Sequence, residues 1–538
     1  MKRLLFSIAF LFPFALHCQT INLVRDITPG TAGTRISEFR DCNGNLYFTV
    51  SASNSVELWK TKGDSLNTVK VKTIWGWSNK KEAFELTCFN NVLYFIAPDT
   101  VHGYELWRSD GTDTGTYVVK DINVGVNDAF AVWTQISTKF LQIFNNKLYF
   151  IANDGIHGNE LWESDGTSAG TQMVIDLKTG WKHGAFEPLG SDGIRLYFGG
   201  VDNLDSFRLY VSNGSAAGTY PVMNTQPYSF SPGYMNFNGK VYYGGTLLTG
   251  NNVDIGLVSS NGTEAGTQLL IPTGNTPDFP IDFMEVNNRL FFNNYKNIYY
   301  TDGTLAGTGV LKDSLSFSSL KFHNDISAHV VVPHSGNLYF LASSIGNNNG
   351  KQLWKSDGTS LGTYPVYTFS NGADPYHLIS VGGKIYTKVR DSLRVDIWGY
   401  DGVAMQKIVK SNTNFFTGST LANSISGYSP FCVFNNQLYY TNAYDTAIGA
   451  ELYKMDLTPS SLENIIINQA TVVYPNPATD YLEIRESGID LVRLYDISGK
   501  LLLEECKNKI SVSGLAPGVY FISILKDNQK FFARFIKK

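Results

Sequence analysis

The chain has 538 residues, of which 43% are hydrophobic and 14% aromatic, with fifty glycines, seven methionines and a formal net charge of −4. That length accommodates one large domain and one small one, and the Tyr, Phe and Gly content favours strands and tight turns over long helices. Between residue 20 and Thr471 the balance is 31 basic to 39 acidic residues, which excludes nucleic acid as a partner because phosphate binding needs a basic surface.

The N-terminus reads MKRLLFSIAFLFPFALHCQT. Two cations precede an apolar run that ends near His17, too short for a membrane span, so residues 1–18 read as a secretory signal peptide cleaved after Cys18. A lipid anchor on Cys18 is the rival reading, and His17 opposes it by occupying a position where a small residue belongs. No other segment approaches the ~18 apolar residues of a spanning helix. Cys42, Cys88, Cys432 and Cys506 remain after processing. Export permits disulfides, but their spacing matches no disulfide framework or zinc pattern. Cys42 and Cys88 fall on equivalent strands of neighbouring repeats, so a bridge is conceivable; free, buried cysteines are the expectation.

Residues 19–457 are repetitive. A turn dipeptide recurs as Asn43-Gly44, Asn90-Asn91, Asn145-Asn146, Asp192-Gly193, Asn238-Gly239, Asn287-Asn288, Gly336-Asn337, Gly382-Gly383 and Asn435-Asn436, at intervals of about 49 residues. Asn, Asp and Gly tolerate the positive φ of a type I′ hairpin. An apolar-aromatic strand of the LYF type follows each. A second signature reads ELWxSDGTxxGT, clearest from Glu105, Glu160 and Gln352, weaker from Glu57, Arg208, Gly256, Asn297 and Asp396, and truncated at Glu451. Another strand follows it, so each unit supplies four short strands without helical periodicity.

Such units predict an all-β fold: a β-propeller of about nine four-stranded blades, within a range of seven to ten. The ninth unit stops at ELYKMDLT without a fourth strand, and Ile21–Ile27 reads as the missing one, donated by the N-terminus to close the ring and remove an unpaired edge. The Phe283–Ser314 unit is the shortest and the expected misfit.

The Asp residues of the SDGT turns (Asp110, Asp165, Asp302, Asp357) invite a calcium reading. One carboxylate per turn leaves most of the six to eight oxygen positions unfilled, so structural turns are expected, similar to the Asp-box hairpins of sialidase-type propellers. The once-per-unit Trp59, Trp107, Trp162, Trp354 and Trp398 are expected as core, and Glu57, Glu105, Glu160 and Glu451 as partners of ions or backbone amides within the repeat. His102, His157, His323, His329 and His334 show no metal-ligand spacing, and no nucleophile, metalloprotease or phosphate-loop motif occurs. We therefore expect no metal, no cofactor and no catalytic residue. The longest departures from the repeat, Lys120–Lys139, Leu177–Pro188 and Tyr400–Pro430, are the candidate ligand region, with Trp133, Trp181, Phe415 and Phe416 as candidate contacts.

Residues 458–471 read as a linker. Beyond it come VVYPNPATDYLEI, RLYDISGKLL, ISVSGLAPGVYFISI and a basic final strand, together a small antiparallel sandwich over 472–538. These motifs resemble the type A C-terminal sorting domain of the type IX secretion system, with Tyr474, Pro475, Asn476, Pro477, Gly514, Leu515, Gly518 and Tyr520 matching its pattern. The resemblance implies recognition by an outer-membrane translocon and a product that is secreted or held at the outer-membrane surface. For the repeat body the expectation is a binding protein for a glycan or protein ligand, the alternative being a carbohydrate-active hydrolase or lyase on the same scaffold.

Overall fold

The computed structural model describes residues 21–538 except 31–32, 53, 77–82, 131–140, 228–233, 250–251, 273–279, 295, 318–330, 345–350, 392–393, 410–430, 446–448, 458–472, 485–490, 497–500, 506 and 527–528. The signal peptide and the linker expected from sequence lie outside these residues. The chain divides into two compact units, Thr20–Leu457 and one that contains Thr458–Lys538. Among the described residues the only helical element is a single 3-10 turn, Ala216–Gly218.

Among the described residues the larger unit holds nine antiparallel sheets. The first runs through Ile36–Cys42, Asn45–Ser51, Ser55–Thr61 and Val69–Trp75, each strand pairing with the next. The following sheets repeat this order. The fifth and seventh carry an extra short strand, because Thr225–Pro227 and Leu315–Phe317 pair with the far halves of Lys240–Thr249 and Asn337–Ser344. The unit around Phe283, expected as a misfit, forms a full four-stranded sheet from Ile281 to Lys312. In the ninth sheet Gly449–Asp456 pairs on one side with Gln437–Asp445 and on the other with Ile21–Arg25, Leu23 lying opposite Tyr453.

Strand alternation explains the core. In Lys147–Asn153, Leu148 and Phe150 join a cluster with the second sheet, while Tyr149 and Ile151 join one with the fourth. Both faces of the strand are therefore apolar and buried, which is why LYF recurs without a polar residue. The same sharing links every consecutive pair of sheets. One further cluster places Val24, Phe434 and Leu452 of the ninth sheet with Ile36, Phe48 and Trp59 of the first. Trp107, Trp162 and Trp354 are buried in these interfaces as well.

Three expectations are corrected. Cys42 and Cys88 form a disulfide that ties the first strand of sheet one to the first strand of sheet two, whereas Cys432 is free. Burial raises the Cys432 thiol to about 12, so it stays a thiol at neutral pH. The seventh hairpin turns on Ser335-Gly336, one residue earlier than expected. Asn337 already pairs with His334, and Ser335 takes a positive φ of 47°. The fourth hairpin is also longer than two residues, since Asp192 donates its N–H to the Arg195 carbonyl and only Gly193 has positive φ.

Residues of the second unit form a three-stranded sheet (Val473–Tyr474, Tyr481–Ile484, Lys509–Ser511) and a four-stranded one in the order Leu501–Glu505, Leu491–Tyr495, Gly518–Lys526, Gln529–Lys537. Leu482, Ile484, Leu494, Ile510, Ile522 and Phe535 fill a shared core.

Candidate functional site: the two edges of the repeat

Four antiparallel strands joined in order place the first and third turns at one edge of each sheet. The second turn and the link to the next sheet lie at the opposite edge. The two edges differ in chemistry.

At the first edge lie the SDGT turns. Asp165 Oδ1 accepts the Thr167 N–H at 2.9 Å and its hydroxyl at 2.7 Å, and Ser164 Oγ bonds Thr171 Oγ1 at 2.7 Å. Gly166 adopts φ +93°, and a Cβ on Gly170 would collide with the Asp165 carboxylate, so both glycines are required. Those bonds from Thr167, side chain first, hold the Asp165 carboxyl below its usual range. The same network stands at Asp110, Asp302 and Asp357. Asn213 and Asn261 occupy the position in two further turns and accept the same bonds through a neutral amide oxygen. A position that works equally well uncharged serves the turn. Aliphatics are exposed here too, Leu66 in sheet one, Ile194 in sheet four, and Leu305, Leu361 and Val403 in sheets six, seven and eight, but no tryptophan is among them.

The second edge is built on buried glutamates. Glu105 Oε1 accepts N–H bonds from Ile122 and Asn123, at 3.0 and 2.9 Å, in the link that leaves the second sheet. Glu160 does the same for Leu177 and Lys178, and Glu451 for Ile27 and Thr28, with the Thr34 hydroxyl added at 2.6 Å. Each carboxylate thus stitches a link to the third strand of the sheet it leaves. Burial pushes Glu105 and Glu160 up to about 8 and Glu451 to about 7; the link amides oppose the rise, and Asp121, Asp176 and Asp26 add to it. Glu57 differs, accepting from Trp59 Nε1 and Lys70 Nζ.

Two Asp–His pairs occupy the same edge. His102 Nδ1 lies 2.8 Å from Asp99 Oδ2 and His157 Nδ1 lies 2.6 Å from Asp154 Oδ2, each Asp also holding the histidine N–H. The bond from Asp154 raises the His157 pKa above its ordinary value. Among the described residues no group of three or more His, Cys, Asp or Glu could hold a metal ion.

Large exposed apolar side chains follow one another along this edge. Trp75 ends the first sheet, Val101 and Ile156 sit in the second turns of sheets two and three, Val124 and Trp181 in the links that follow those sheets, and Leu204 in the second turn of sheet four. Trp75 is 65% exposed and Trp181 77%. The backbone beneath them is fixed: the Trp75 carbonyl accepts from Thr100 N–H, and Asn159 N–H donates to His183 Nδ1 two residues from Trp181. Of the candidate contacts expected from sequence, Trp181 stands on this edge, while Trp133, Phe415 and Phe416 lie outside the described residues. Trp75 was missed because it ends a regular strand and breaks no repeat pattern.

In the C-terminal unit the expected signal residues hold the fold. Asn476 Oδ1 accepts the Ile536 N–H at 2.9 Å, Ala478 N–H donates to the Ile536 carbonyl, and Lys538 N–H to the Ala478 carbonyl, so the Tyr474–Pro477 turn clasps the final strand. The Tyr474 backbone pairs with Glu483, and Pro475 and Pro477 are exposed. Leu515 packs on the core beside Gly514, and Tyr520, two residues after Gly518, stacks on Phe535 and donates its hydroxyl to the Ala516 carbonyl.

Comparison with known proteins bears on this unit directly: residues 472–538 match the family described as secretion system C-terminal sorting domain. No curated protein matches the chain. Solved structures similar to it include a puromycin-hydrolyzing peptidase of Mycobacterium tuberculosis (9% identity, 76% of this chain and 57% of that one, TM-score 0.36). An oligogalacturonate lyase in complex with manganese (11%, 71% and 99%, TM-score 0.32) and an acylaminoacyl peptidase of Pyrococcus horikoshii (10%, 76% and 57%, TM-score 0.30) are others. The chain spans less than three fifths of the two peptidases.

Proposed function

Because residues 472–538 are a type IX sorting domain, which sends the protein to the cell surface or the extracellular space, we propose that residues 20–457 form a closed nine-bladed propeller whose link edge binds a glycan or protein ligand. The observation that carries this reading is the run of exposed apolar side chains from Trp75 to Leu204 along one edge of consecutive sheets. Large apolar groups grouped on one side of a rigid scaffold mark a contact surface, and tryptophan supplies much of the binding energy in such surfaces. The repeated polar groups support it from the other direction. The turn aspartates and buried glutamates are occupied by backbone amides, which leaves recognition to what the link edge exposes. Closure of the ring is supported by the pairing of Ile21–Arg25 with Gly449–Asp456 and by the core shared between sheets nine and one.

Glycan and protein arrays probed with residues 20–457 test the proposal. A ligand whose binding falls at least tenfold on Trp75→Ala or Trp181→Ala, and is unchanged by Leu361→Ala on the opposite edge, is the expected result. Binding indifferent to both tryptophans would overturn it, and cleavage of an arrayed polysaccharide would replace it with the enzyme reading.

A further inference from the structure

The two outer faces of the C-terminal sandwich differ in how many apolar side chains they expose. On the three-stranded sheet, Leu482, Ile484 and Ile510 point into the core, and the alternate positions are Tyr481, Glu483, Lys509 and Ser511. Lys509 Nζ lies 4.0 Å from the centre of the Tyr481 ring. That face is polar and self-satisfied.

On the four-stranded sheet the positions alternate to Tyr520, Ile522 and Phe535 are Val519, Phe521 and Ile536, exposed by 37%, 44% and 42%. Val519 is paired directly with Ile536 in the strand register, Phe521 is the next outward position along the same strand, and the Phe521 backbone pairs with Arg534 on one side and Tyr495 on the other. Leu502, on the strand beyond, is exposed as well. A sandwich core needs only the inner face of each sheet. Apolar side chains adjacent across strands on an outer face therefore contribute little to folding and favour association.

We infer that the outer face bearing Val519, Phe521 and Ile536 is the surface by which the secretion machinery grips the sorting domain, an inference that rests on the sorting assignment of residues 472–538. The occupant follows from that assignment, since a sorting domain acts by being read. Several of the residues that mark it in sequence are committed to the fold, while Pro475 and Pro477 are exposed in the Tyr474–Pro477 turn. Asn476 clasps the last strand, and Leu515 and Tyr520 lie against the core. Beyond that turn the outer surface remains to be read, and this face carries the exposed side chains of Leu502, Val519, Phe521 and Ile536.

The experiment compares export of the full-length protein with and without three substitutions, Val519→Thr, Phe521→Thr and Ile536→Thr. Threonine keeps strand propensity while removing apolar surface. The expected result is at least a tenfold drop in extracellular or surface protein, accumulation inside the envelope, and an unchanged thermal unfolding profile of the purified variant. Tyr481→Thr with Lys509→Thr, on the polar face, leaves export unchanged. Should the triple variant unfold, Phe521→Thr alone is scored by the same criteria. Wild-type export of the folded variant overturns the inference. Deletion of 472–538 separates the two readings: if the deletion is also exported normally the sorting assignment fails, and if it is blocked while the folded variant passes, only the docking face fails.

Discussion

Glu451 and Ile27 are 424 positions apart in the chain, and the Glu451 Oε2 accepts the Ile27 N–H at 2.9 Å. The bond sits where the two ends of the repeat body meet, beside the pairing of Ile21–Arg25 with Gly449–Asp456.

Removing that acceptor tests the seam. Glu451→Ala strands the N–H groups of Ile27 and Thr28 and the Thr34 hydroxyl, and a buried unsatisfied donor costs about 1–3 kcal/mol. We expect a lower Tm and faster hydrogen exchange confined to Ile21–Thr34 and Gly449–Asp456. Deleting residues 21–27 leaves the 449–456 strand with an open edge, and concentration-dependent association should follow in size-exclusion chromatography. Uniform exchange across all sheets in Glu451→Ala would contradict a localised seam.

The buried glutamates set a pH dependence. Glu105 and Glu160 titrate near 8 in the folded chain against an ordinary 4.5, so between these values the folded state holds protons that the unfolded state has released. Their favourable contribution is complete below pH 4.5 and is lost as pH rises through 8. Glu105 Oε2 is buried with no hydrogen-bond partner among the described residues, which gives the proton its place. The turn aspartates act oppositely: their lowered pKa means stability present above the ordinary 3.8 and lost as pH falls through the folded value. Tm should therefore peak near pH 5 and decline by several degrees toward pH 9, and Glu105→Gln with Glu160→Gln should flatten the decline. A flat profile in the wild type would show that these carboxyls ionise as readily as exposed ones.

Calcium should not matter to the turns. Asp165→Ala is expected to cost about 1 kcal/mol through loss of two local hydrogen bonds, and Asp165→Asn nearly nothing, as Asn213 and Asn261 already serve. Thermal unfolding with calcium and then with excess chelator should superimpose. A Tm that collapses on chelation and returns with calcium would make the turns metal sites.

The Cys42–Cys88 disulfide spans 46 positions and joins two sheets. Chain entropy gives a bridge over a loop of that size about 4 kcal/mol, and observed values of about 2–4 kcal/mol are typical. Cys42→Ser with Cys88→Ser, or reductant, should lower the Tm and loosen the first two sheets. Indifference to reductant would mean the neighbouring core suffices.

Much of this architecture could be read from sequence because it repeats. Seven of the nine turn dipeptides have both residues at positive φ as Asn and Gly chemistry requires, and Ile21–Arg25 completes the ninth sheet. Where reading failed, local chemistry was ambiguous. Ser335 gives no turn signal of its own, so Gly336-Asn337 was the natural choice, and only the His334–Asn337 pairing fixes the register. Cys42 and Cys88 match no disulfide spacing, and the bridge depends on how two neighbouring sheets stack, which no local pattern encodes. The role of Glu105 was half visible: its repetition announced a structural partner, but the partner is a backbone link 17 residues on. The site was least legible. Trp75 sits in a regular strand, and exposure is a property of what fails to pack against a residue.

The position of the seam has a consequence for how such genes change. Every interior sheet meets its neighbours through the same kind of shared core, whereas the junction between the N-terminal strand and the ninth sheet occurs once. Gain or loss of a whole interior unit of about 49 residues leaves the residues of that junction untouched. An insertion that shifts Ile21–Arg25 against Gly449–Asp456 turns every side chain of the strand to the wrong face. Recombination within the array should therefore be tolerated better than recombination at its ends, and related genes should differ in unit number while keeping a split final unit.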